Sequence, residues 1–499
     1  MGNDFTLLLP EALVAVLAVL VLTADFFTPS ERKHWLGYGA ALGLLGILAF
    51  TLPFLWGRDT VLYDGVIRVD DYALFFKGFF LVLGIVAILS SVEYVRRRLN
   101  HAGEFYGILL FTVVAAMFLA SSGELLTAYI SLELLSFSLY VLVAADRYND
   151  RSNEAGTKYI LLGALSSAFL LYGISQVYGH LGTTTFEGIS AALASGGDLS
   201  PGLFVGIVLI IAGLGFKVAA VPFHMWAPDV YEGAPTPITA YLAVGSKAAA
   251  FALIIRLFAE GFIPAAEEWR LIIMVLAAVT MVAGNLIAIA QSNIKRLLAY
   301  SSIGHAGYLL MGIAALAAVG SSGELALDRS HLVTNAIMLH LVAYGVTNMA
   351  AFLVVSTVCT GSGDEAVSSF SGLSRRSPGT AMVMAAALFS LAGLPIFAGF
   401  TSKFYLFTAT ASQGLLWLAG LAILMSLVSL YYYLMVIRQT YIEPGDDGAV
   451  VSVPRLTFGV LAVLFVALVL VGVYPAPVME FIQSASEALF TTEFALSVR

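Results

Sequence analysis

The sequence has little charge and almost no cysteine. Asp, Glu, Lys and Arg make up 11% of its 499 residues, and Cys359 is its single cysteine. One cysteine excludes a disulfide framework and any zinc or iron–sulfur site built from cysteines. The formal charge of −8 is spread along the chain. The sequence has no cluster of basic residues of the kind that predicts nucleic-acid binding. A glycine-rich phosphate loop and a GxGxxG motif are also missing, so no site for NADH, flavin or ATP is expected.

Hydrophobic residues, by contrast, make up 60% of the chain, and its mean hydropathy is +0.93. Soluble domains are usually about 45–50% apolar and about 25% charged. A soluble fold of this size could not bury so much apolar surface, so lipid is the expected solvent. We therefore predict one polytopic, all-α membrane domain, 1–499. An acid rather than positive charge precedes the first apolar run, which predicts a retained helix and no cleaved signal peptide.

A membrane-spanning helix needs about 20 mostly apolar residues. The sequence contains about fourteen such runs, here called spans 1 to 14, and the loop between spans 9 and 10 is very short. The runs are Phe5–Phe26, Trp35–Leu55, Tyr72–Val92, Phe105–Ala120, Leu125–Ala145, Tyr159–His180, Leu203–Phe223, Ile238–Phe258, Leu271–Gln291, Ile294–Ala318, Leu332–Cys359, Ala381–Thr410, Leu415–Ile437 and Leu456–Val473.

The cationic residues predict the orientation, because cytoplasmic loops are rich in Lys and Arg. Most of the 24 cations follow odd-numbered spans, which places both termini outside the cytoplasm. This larger group comprises Arg32, Lys33, Arg96, Arg97, Arg98, Arg147, Arg151, Lys158, Lys295, Arg296, Arg375, Arg376, Arg438 and Arg455. The opposite side has Arg58, Arg68, Arg270, Arg329 and Arg499.

Five ionisable residues fall near the middle of predicted spans, where insertion costs about 2.5–3.5 kcal/mol or more. They are Glu133 in span 5, Lys217 in span 7, Lys247 in span 8, His305 in span 10 and Lys403 in span 12. One reading is that these are structural ion pairs between helices. Three lysines cannot all pair with one glutamate, however, and a surplus of titratable groups is what a proton path requires. Burial disfavours a charged ammonium and a nearby carboxylate favours it, so a moving carboxylate would switch proton affinity.

Other polar residues near the spans are weaker candidates. Lys77 and Arg256 lie towards the outer ends of their spans and are expected to snorkel to the interface. Glu11 lies near a helix start, where a carboxylate favours the helix dipole. His224 either carries protons or caps a break beside Pro222, and His340 in span 11 is a further weak candidate.

Prolines interrupt two spans close to a lysine. Pro222 follows Lys217 in span 7, and Pro395 precedes Lys403 in span 12. Proline breaks or kinks a helix, and in a membrane the freed backbone groups must be buried in protein or line a wet cavity. Interrupted helices at matching places in two halves indicate an inverted-repeat transporter. We predict that spans 7 and 12 are discontinuous, within five-helix repeats of spans 4–8 (about 105–258) and 9–13 (about 271–437).

Three motifs resemble one known family. They are GFKVAAVPFHMWAPDVYEGAPTP (Gly215–Pro237), SNIKRLLAYSSIGHAGY (Ser292–Tyr308) and LAGLPIFAGFTSKFYLF (Leu391–Phe407). The whole chain resembles the antiporter-like membrane subunits of complex I (NADH:quinone oxidoreductase) and of multi-subunit sodium/proton antiporters. The opening LLPEALV, the lysine in span 12 and the short tail Tyr474–Arg499 favour the subunit N branch.

The resemblance implies roles for the charged residues. Glu133 and Lys217 resemble the pair near the cytoplasmic half-channel, Lys247 the central relay that continues through His305, and Lys403 the terminal donor towards the outside. It also implies that other subunits carry NADH, FMN, the iron–sulfur clusters and quinone. The implied partners are the other membrane subunits of complex I, lipid and protons. The lack of a transit peptide and the short termini favour a bacterial inner membrane.

Three functional hypotheses follow. The first is a proton-translocating subunit driven by electron transfer from NADH to quinone. The second is a D-type subunit of a multi-subunit sodium/proton antiporter, driven by ion gradients. The third is a membrane scaffold in which the charges are only packing pairs.

Overall fold

The computed structural model describes residues 4–99, 101–195, 199–316, 324–445 and 451–490, which are mostly helical. Apolar runs become helices because backbone groups in lipid must bond within their own segment. The α-helices are α1 (Asp4–Leu7), α2 (Leu9–Phe27), α3 (His34–Leu55), α4 (Asp71–Arg98), α5 (Ala102–Ser121), α6 (Leu125–Val143), α7 (Asp150–Leu181), α8 (Phe186–Ser195), α9 (Pro201–Val218), α10 (Trp226–Gly233), α11 (Thr236–Tyr241), α12 (Lys247–Arg256), α13 (Ala266–Ala288), α14 (Ile294–Leu316), α15 (Glu324–Ser362), α16 (Leu373–Arg376), α17 (Pro378–Ala392), α18 (Ala398–Ser412), α19 (Leu416–Tyr441), α20 (Arg455–Val473) and α21 (Ala476–Leu489).

The predicted all-α membrane class is confirmed. Within the described ranges, 12 helices are long and apolar enough to cross a membrane. One of them, Thr236–Gly261, joins α11 and α12 to the π-helices Leu242–Ser246 and Leu257–Gly261. Two shorter apolar helices also overlap predicted spans: α9 covers most of span 7, and α17 covers the first part of span 12, which continues as α18. The total of fourteen spans stays a prediction.

Short polar signals set the helix ends. Asp70 and Ser200 precede α4 and α9, and their side chains accept hydrogen bonds from the backbone N–H groups of Ala73 (2.7 Å) and Leu203 (3.3 Å). Such residues satisfy N–H groups that have no partner within the helix. At its C-terminus, α7 ends before Gly182, whose φ of +71° lies in the left-handed region that glycine tolerates.

Contacts between loops show which helix ends lie together. Lys158 at the start of α7 and Arg296 in α14 both bind Asp229 of α10, at 2.8 and 2.7 Å. Lys295 of α14 binds Glu365 beyond α15 at 2.8 Å. Burial would raise the pKa of Asp229, but the hydrogen bonds from Lys158 and Arg296 hold it below its usual value. The loops after spans 5, 7, 9 and 11 therefore share one end of the bundle.

Several small elements lie at the opposite end of the bundle. Strands β1 (Thr60–Leu62) and β2 (Ile67–Val69) form an antiparallel hairpin between α3 and α4. The tail contains α21, which packs against α4 and α15 and donates a 2.8 Å hydrogen bond from Ser484 to Asp71. Arg499 lies outside the described residues. Of the short 3₁₀ helices, Ile263–Ala265 follows span 8 at this end, whereas Ser30–Arg32 and Val367–Phe370 follow spans 1 and 11 at the other end.

The helices differ greatly in burial, and this places the charged residues. The segment Thr236–Gly261, α14 and α15 are almost wholly enclosed by other helices, whereas α2, α19 and α20 leave most of their apolar surface outside. Lipid solvates an apolar outer face, so these outer helices need no further cover. Lys247, His305 and His340 consequently lie in the centre of the bundle.

Lys77 and Arg256 do not snorkel, so that prediction is wrong. Both side chains are 0% exposed. Lys77 Nζ lies 2.6 Å from Glu11 Oε1, and Arg256 binds Asp70 (2.7 Å) and Glu260 (2.9 Å). A carboxylate on a neighbouring segment replaces the solvation that the interface would have supplied, which removes the need for the side chain to reach it.

Candidate functional site: a line of buried amines and imidazoles

Lys217 lies in the last turn of α9, at the point where span 7 stops being helical. The helix ends at Val218, and Ala219 adopts a left-handed φ of +58° before the non-helical stretch that leads to α10. Lys217 Nζ donates a 2.6 Å hydrogen bond to Ser136 Oγ of α6. The amine also lies 5.9 Å from the centre of the Tyr140 ring. The interrupted helix thus presents its lysine to α6.

Glu133 is on α6, almost one turn before Ser136. Its carboxylate accepts a 2.5 Å hydrogen bond from Ser167 of α7, and the residue is only half-buried. Among the described residues, no ion pair within 4.0 Å joins Glu133 to Lys217. The two residues that the sequence suggests as a pair therefore lie near each other, but each is held by a different serine.

Lys247 begins α12, directly after the π-helix Leu242–Ser246. Its Nζ donates to the backbone carbonyl of Ser302 (2.9 Å) and to the Ser302 hydroxyl (2.5 Å) on α14. The widened turn of a π-helix is frequent at functional positions. Ser302 precedes His305 by three residues, so the two side chains lie on the same face of α14. Lys247 therefore contacts the face of α14 that carries His305.

His305 continues towards span 12 through a second histidine. Its Nδ1 lies 3.2 Å from Nε2 of His340 on α15, and His340 Nδ1 lies 3.1 Å from Ser402 Oγ on α18. Ser402 is the residue before Lys403. An imidazole can accept a proton on one nitrogen and release one from the other. The structure therefore connects His305 to the segment that carries Lys403 through His340.

Lys403 donates a hydrogen bond to a backbone carbonyl that Pro395 leaves without its usual N–H partner. Its Nζ donates to the Leu391 carbonyl (2.6 Å) and to Ser426 Oγ (2.9 Å). In an uninterrupted helix the Leu391 carbonyl would accept from the N–H four residues later, but that residue is Pro395, which has none. Helix α17 ends at Ala392 and α18 begins at Ala398. The break thus frees the acceptor that fixes the lysine.

Lys217, Lys247 and Lys403 share one property. In the described part of the chain all three are buried, and none has a carboxylate within 4.0 Å. Each amine instead contacts hydroxyl or carbonyl oxygens. Neutral oxygens accept hydrogen bonds from an amine in both its charged and neutral forms, because both forms keep N–H groups. These contacts can hold the side chains through a change of protonation.

Comparison with known proteins identifies the family. The family model described as NADH:quinone oxidoreductase/Mrp antiporter, TM, matches residues 122–429. The NADH-quinone oxidoreductase subunit N of Heliobacterium modesticaldum is 43% identical over 493 residues, covering 98% of this chain and 100% of the relative. The chain belongs to the NADH:quinone oxidoreductase/Mrp antiporter family.

Other relatives place the chain among the subunit N members of this family. The subunit N of Desulforamulus reducens is 41% identical over 488 residues, covering 98% of this chain and 99% of the relative. A chain of respiratory complex I from Thermus thermophilus with bound aureothin has a similar structure, with a TM-score of 0.78 and 31% identity over 95% of this chain and 99% of that one. The resemblance to subunit N seen in the sequence is thereby confirmed.

One candidate residue from the sequence, His224, does not contact the line of buried lysines and histidines. His224 lies in the non-helical stretch after α9 and is half-buried. Its Nδ1 is buried and, in the described part, has no hydrogen-bond partner. Burial lowers the pKa of this imidazole. No contact within hydrogen-bond distance joins it to Lys217 there.

Several residues in this family member gain importance only from the structure. Sequence analysis rated His340 as a weak candidate, yet it contacts both His305 and Ser402. The serines that hold the amines and the carboxylate were not singled out, because serine is common in membrane helices and carries no charge to mark it. The signal that was available is position: Ser136 is three residues from Glu133, and Ser302 three from His305.

Proposed function

We propose that this chain carries protons across the membrane along the line Lys217, Lys247, His305, His340 and Lys403, with Glu133 modulating Lys217. The supporting observation is the set of polar contacts between Lys247 and Lys403. Lys247 contacts Ser302, and three residues along α14 His305 begins a series of contacts through His340 to Ser402, the residue before Lys403. A structural scaffold would pair these amines with carboxylates, as Lys77 and Arg256 are paired elsewhere in the bundle.

The depths of the two broken helices suggest a direction. Lys217 is the seventeenth residue of α9, about 24 Å along the axis from the start of that helix, and α17 runs 15 residues, about 22 Å, from the opposite end of the bundle to its break. With the orientation expected from the cations, Lys217 lies towards the cytoplasm and Lys403 towards the outside. We propose that Lys217 takes up protons, Lys247 relays them and Lys403 delivers them, within inverted repeats at about 105–258 and 271–437 of one domain, 1–499.

The chain is a multi-pass membrane subunit of a bacterial NADH-quinone oxidoreductase. The energy would come from electron transfer between NADH and quinone on other subunits, which would also hold the FMN and iron–sulfur clusters; this chain itself would perform no redox chemistry. The half-buried Glu133 lies on an exposed apolar face with Ile130 and Phe137. A carboxylate in the middle of a membrane must be surrounded by polar groups. A neighbouring membrane subunit that covers this face would add polar groups to the one that Ser167 provides.

Proton pumping in inside-out membrane vesicles tests the proposal. We expect Lys217→Ala to abolish NADH-driven acidification of the vesicle interior while the complex remains assembled, because the buried amine that takes up the proton is gone. Lys33→Ala is the matched control, since Lys33 is partly exposed and paired with Asp25 outside the line. Normal pumping by an assembled Lys217→Ala complex would show that Lys217 is structural.

The antiporter alternative has its own outcome in the same vesicles. An imposed sodium gradient, without NADH, would drive proton movement through a subunit of a sodium/proton antiporter. We expect no such movement that depends on Lys217.

A further inference from the structure

A cavity of about 470 Å³ opens between α5, α6 and α7, at the same end of the bundle as Arg96, Arg97 and Arg98. Its lining includes Glu104 and Arg147, which form an ion pair with each other, and the exposed side chain of Thr157. With a volume share of about 30 Å³ per molecule, the cavity has room for several waters beside polar groups.

Tyr140 connects this cavity to the buried lysine. Tyr140 is part of the cavity lining and is 5% exposed, and its ring lies 5.9 Å from Lys217 Nζ. One turn earlier on the same face of α6, Ser136 accepts the hydrogen bond from that amine. The Tyr140 hydroxyl is buried and, within the described ranges, makes no hydrogen bond of 3.5 Å or less, although Ser136 lies close enough to interact with it. A buried hydroxyl without a close partner is costly, and its polar neighbour Ser136 is the residue that holds Lys217.

Gly163 of α7 makes the space for this hydroxyl. A Cβ atom at position 163 would lie 1.9 Å from Tyr140 Oη and 2.7 Å from its Cζ. Tyr159 packs edge-on against the ring from the same helix, with centroids 4.7 Å apart. The ring is therefore held between α6 and α7 with its hydroxyl placed over a glycine.

We propose that this cavity is the vestibule from which protons reach Lys217, and that the Tyr140 hydroxyl is the relay between them. The inference rests on the proposed proton-carrying role of Lys217. A phenol hydroxyl can accept and donate. A proton arriving from the cavity forms a new O–H bond as the original hydroxyl proton leaves, and the amine gains an N–H bond directly or through Ser136. Tyr140 is thus a relay residue, and Gly163 positions it.

Removing the hydroxyl alone gives the first test. Tyr140→Phe keeps the ring and its packing, and we expect NADH-driven pumping to fall about tenfold or more in an assembled complex. We also expect a larger D₂O effect on pumping, because proton transfer to Lys217 becomes limiting; a packing defect would not change the isotope effect. Tyr106→Phe is the matched control, since the Tyr106 hydroxyl is also buried, lacks a partner in the described part and faces a glycine, Gly37, away from Lys217.

Blocking the cavity gives an independent test that leaves Tyr140 intact. Thr157→Cys would be modified with a bulky, membrane-impermeant thiol reagent added to inside-out vesicles. Tyr148→Cys, which is 88% exposed and does not line the cavity, is the control, and a complex without either introduced cysteine corrects for other thiols. We expect modification at position 157 to slow pumping and modification at 148 to leave it unchanged.

The outcomes separate the two proposals. Full pumping and an unchanged isotope effect in Tyr140→Phe, or full pumping after modification of Thr157→Cys, would overturn the vestibule while leaving Lys217 as a carrier. Full pumping by assembled Lys217→Ala would instead remove the proposed function itself. Loss of pumping in Tyr106→Phe equal to that in Tyr140→Phe would assign the effect to packing and would also overturn the relay.

Discussion

At the scale of single residues, the chain treats its buried cations in two different ways. Arg256 and Lys77 each have a carboxylate within 3 Å, whereas Lys217, Lys247 and Lys403 contact only neutral oxygens in the described part. A buried ion pair fixes both charges, because removing one charge leaves the other uncompensated. Neutral contacts leave the charge free to change. The difference separates structural cations from those proposed to move protons.

The hydroxyl of Ser302 provides one test at this scale. Ser302→Ala removes one of the two hydrogen bonds that Lys247 Nζ makes, and a hydrogen bond to a charged group contributes about 1.5–3 kcal/mol. We expect pumping to fall roughly tenfold with assembly unchanged. The neighbouring Ser301→Ala is the control, because Ser301 bonds to Tyr433 and not to Lys247. Equal pumping by the two variants would argue against Lys247 as a relay.

The buried Arg256 cluster provides a test of stability. Asp70→Asn leaves Arg256 and Arg68 opposite Glu260 alone, and breaking such a buried pair costs about 3–5 kcal/mol. We expect a clearly lower thermal unfolding temperature of the solubilised complex. The exposed Asp59→Asn makes the same change of charge nearby and should have little effect. An unchanged unfolding temperature in Asp70→Asn would mean that the cluster is not a structural tie.

At the scale of elements, the two interrupted helices place their lysines by similar means. Helix α9 ends before Ala219 and α17 before Gly393, and both of these residues have positive φ. A lysine then lies next to the break, inside α9 in one case and inside α18 in the other. The first residue after each helix is at least partly buried, whereas Pro222 and Pro395, which have no N–H group to satisfy, are exposed.

The turn at Gly393 allows this arrangement to be tested. Gly393 has a φ of +86°, and a Cβ atom there would lie 3.0 Å from Lys403 Cδ. A residue with a Cβ in this region costs roughly 1–2 kcal/mol, and the methyl group would push on the lysine. We expect Gly393→Ala to lower pumping in the assembled complex. Gly420→Ala on α19, where a Cβ meets nothing within 4 Å, should pump normally; a normal rate in both would show that the turn tolerates a methyl group.

At the scale of the whole molecule, the loops alternate between the two ends of the bundle, and the proposed direction of proton movement depends on which end faces the cytoplasm. Ion pairs join the loops after spans 5, 7, 9 and 11 at one end. Backbone bridges between Ile67 and Ser122 and between Glu124 and Thr185 join those after spans 2, 4 and 6 at the other. The excess of Lys and Arg at the first end predicts that it faces the cytoplasm.

Introduced cysteines test this orientation. Glu480→Cys on α21 and Tyr148→Cys after α6 are both exposed and lie at opposite ends of the predicted topology. We expect an impermeant maleimide to label position 480 only in right-side-out vesicles and position 148 only in inside-out vesicles. The native Cys359 is buried and serves as the unlabelled background. The reverse pattern would invert the proposed direction of proton movement.

Hydropathy and charge along the chain are enough to predict the membrane class, the positions of most helices and the candidate residues Glu133, Lys217, Lys247, His305 and Lys403. These follow from local properties: an apolar run must form a helix in lipid, and an ionisable residue within it stands out. Pro222 and Pro395 likewise marked the ends of α9 and α17, because a missing N–H is visible in the sequence.

Which side chains contact one another, by contrast, depends on how the helices pack. Lys77 and Lys217 are both lysines within apolar runs and both are buried, yet one has Glu11 at 2.6 Å and the other a serine hydroxyl. His340 and Tyr140 became part of the proposed proton path because helices distant in sequence bring Ser402 beside His340 and Lys217 beside Tyr140. The function of a buried charge depends on the groups across the helix interface, and hydropathy along one helix does not contain that information.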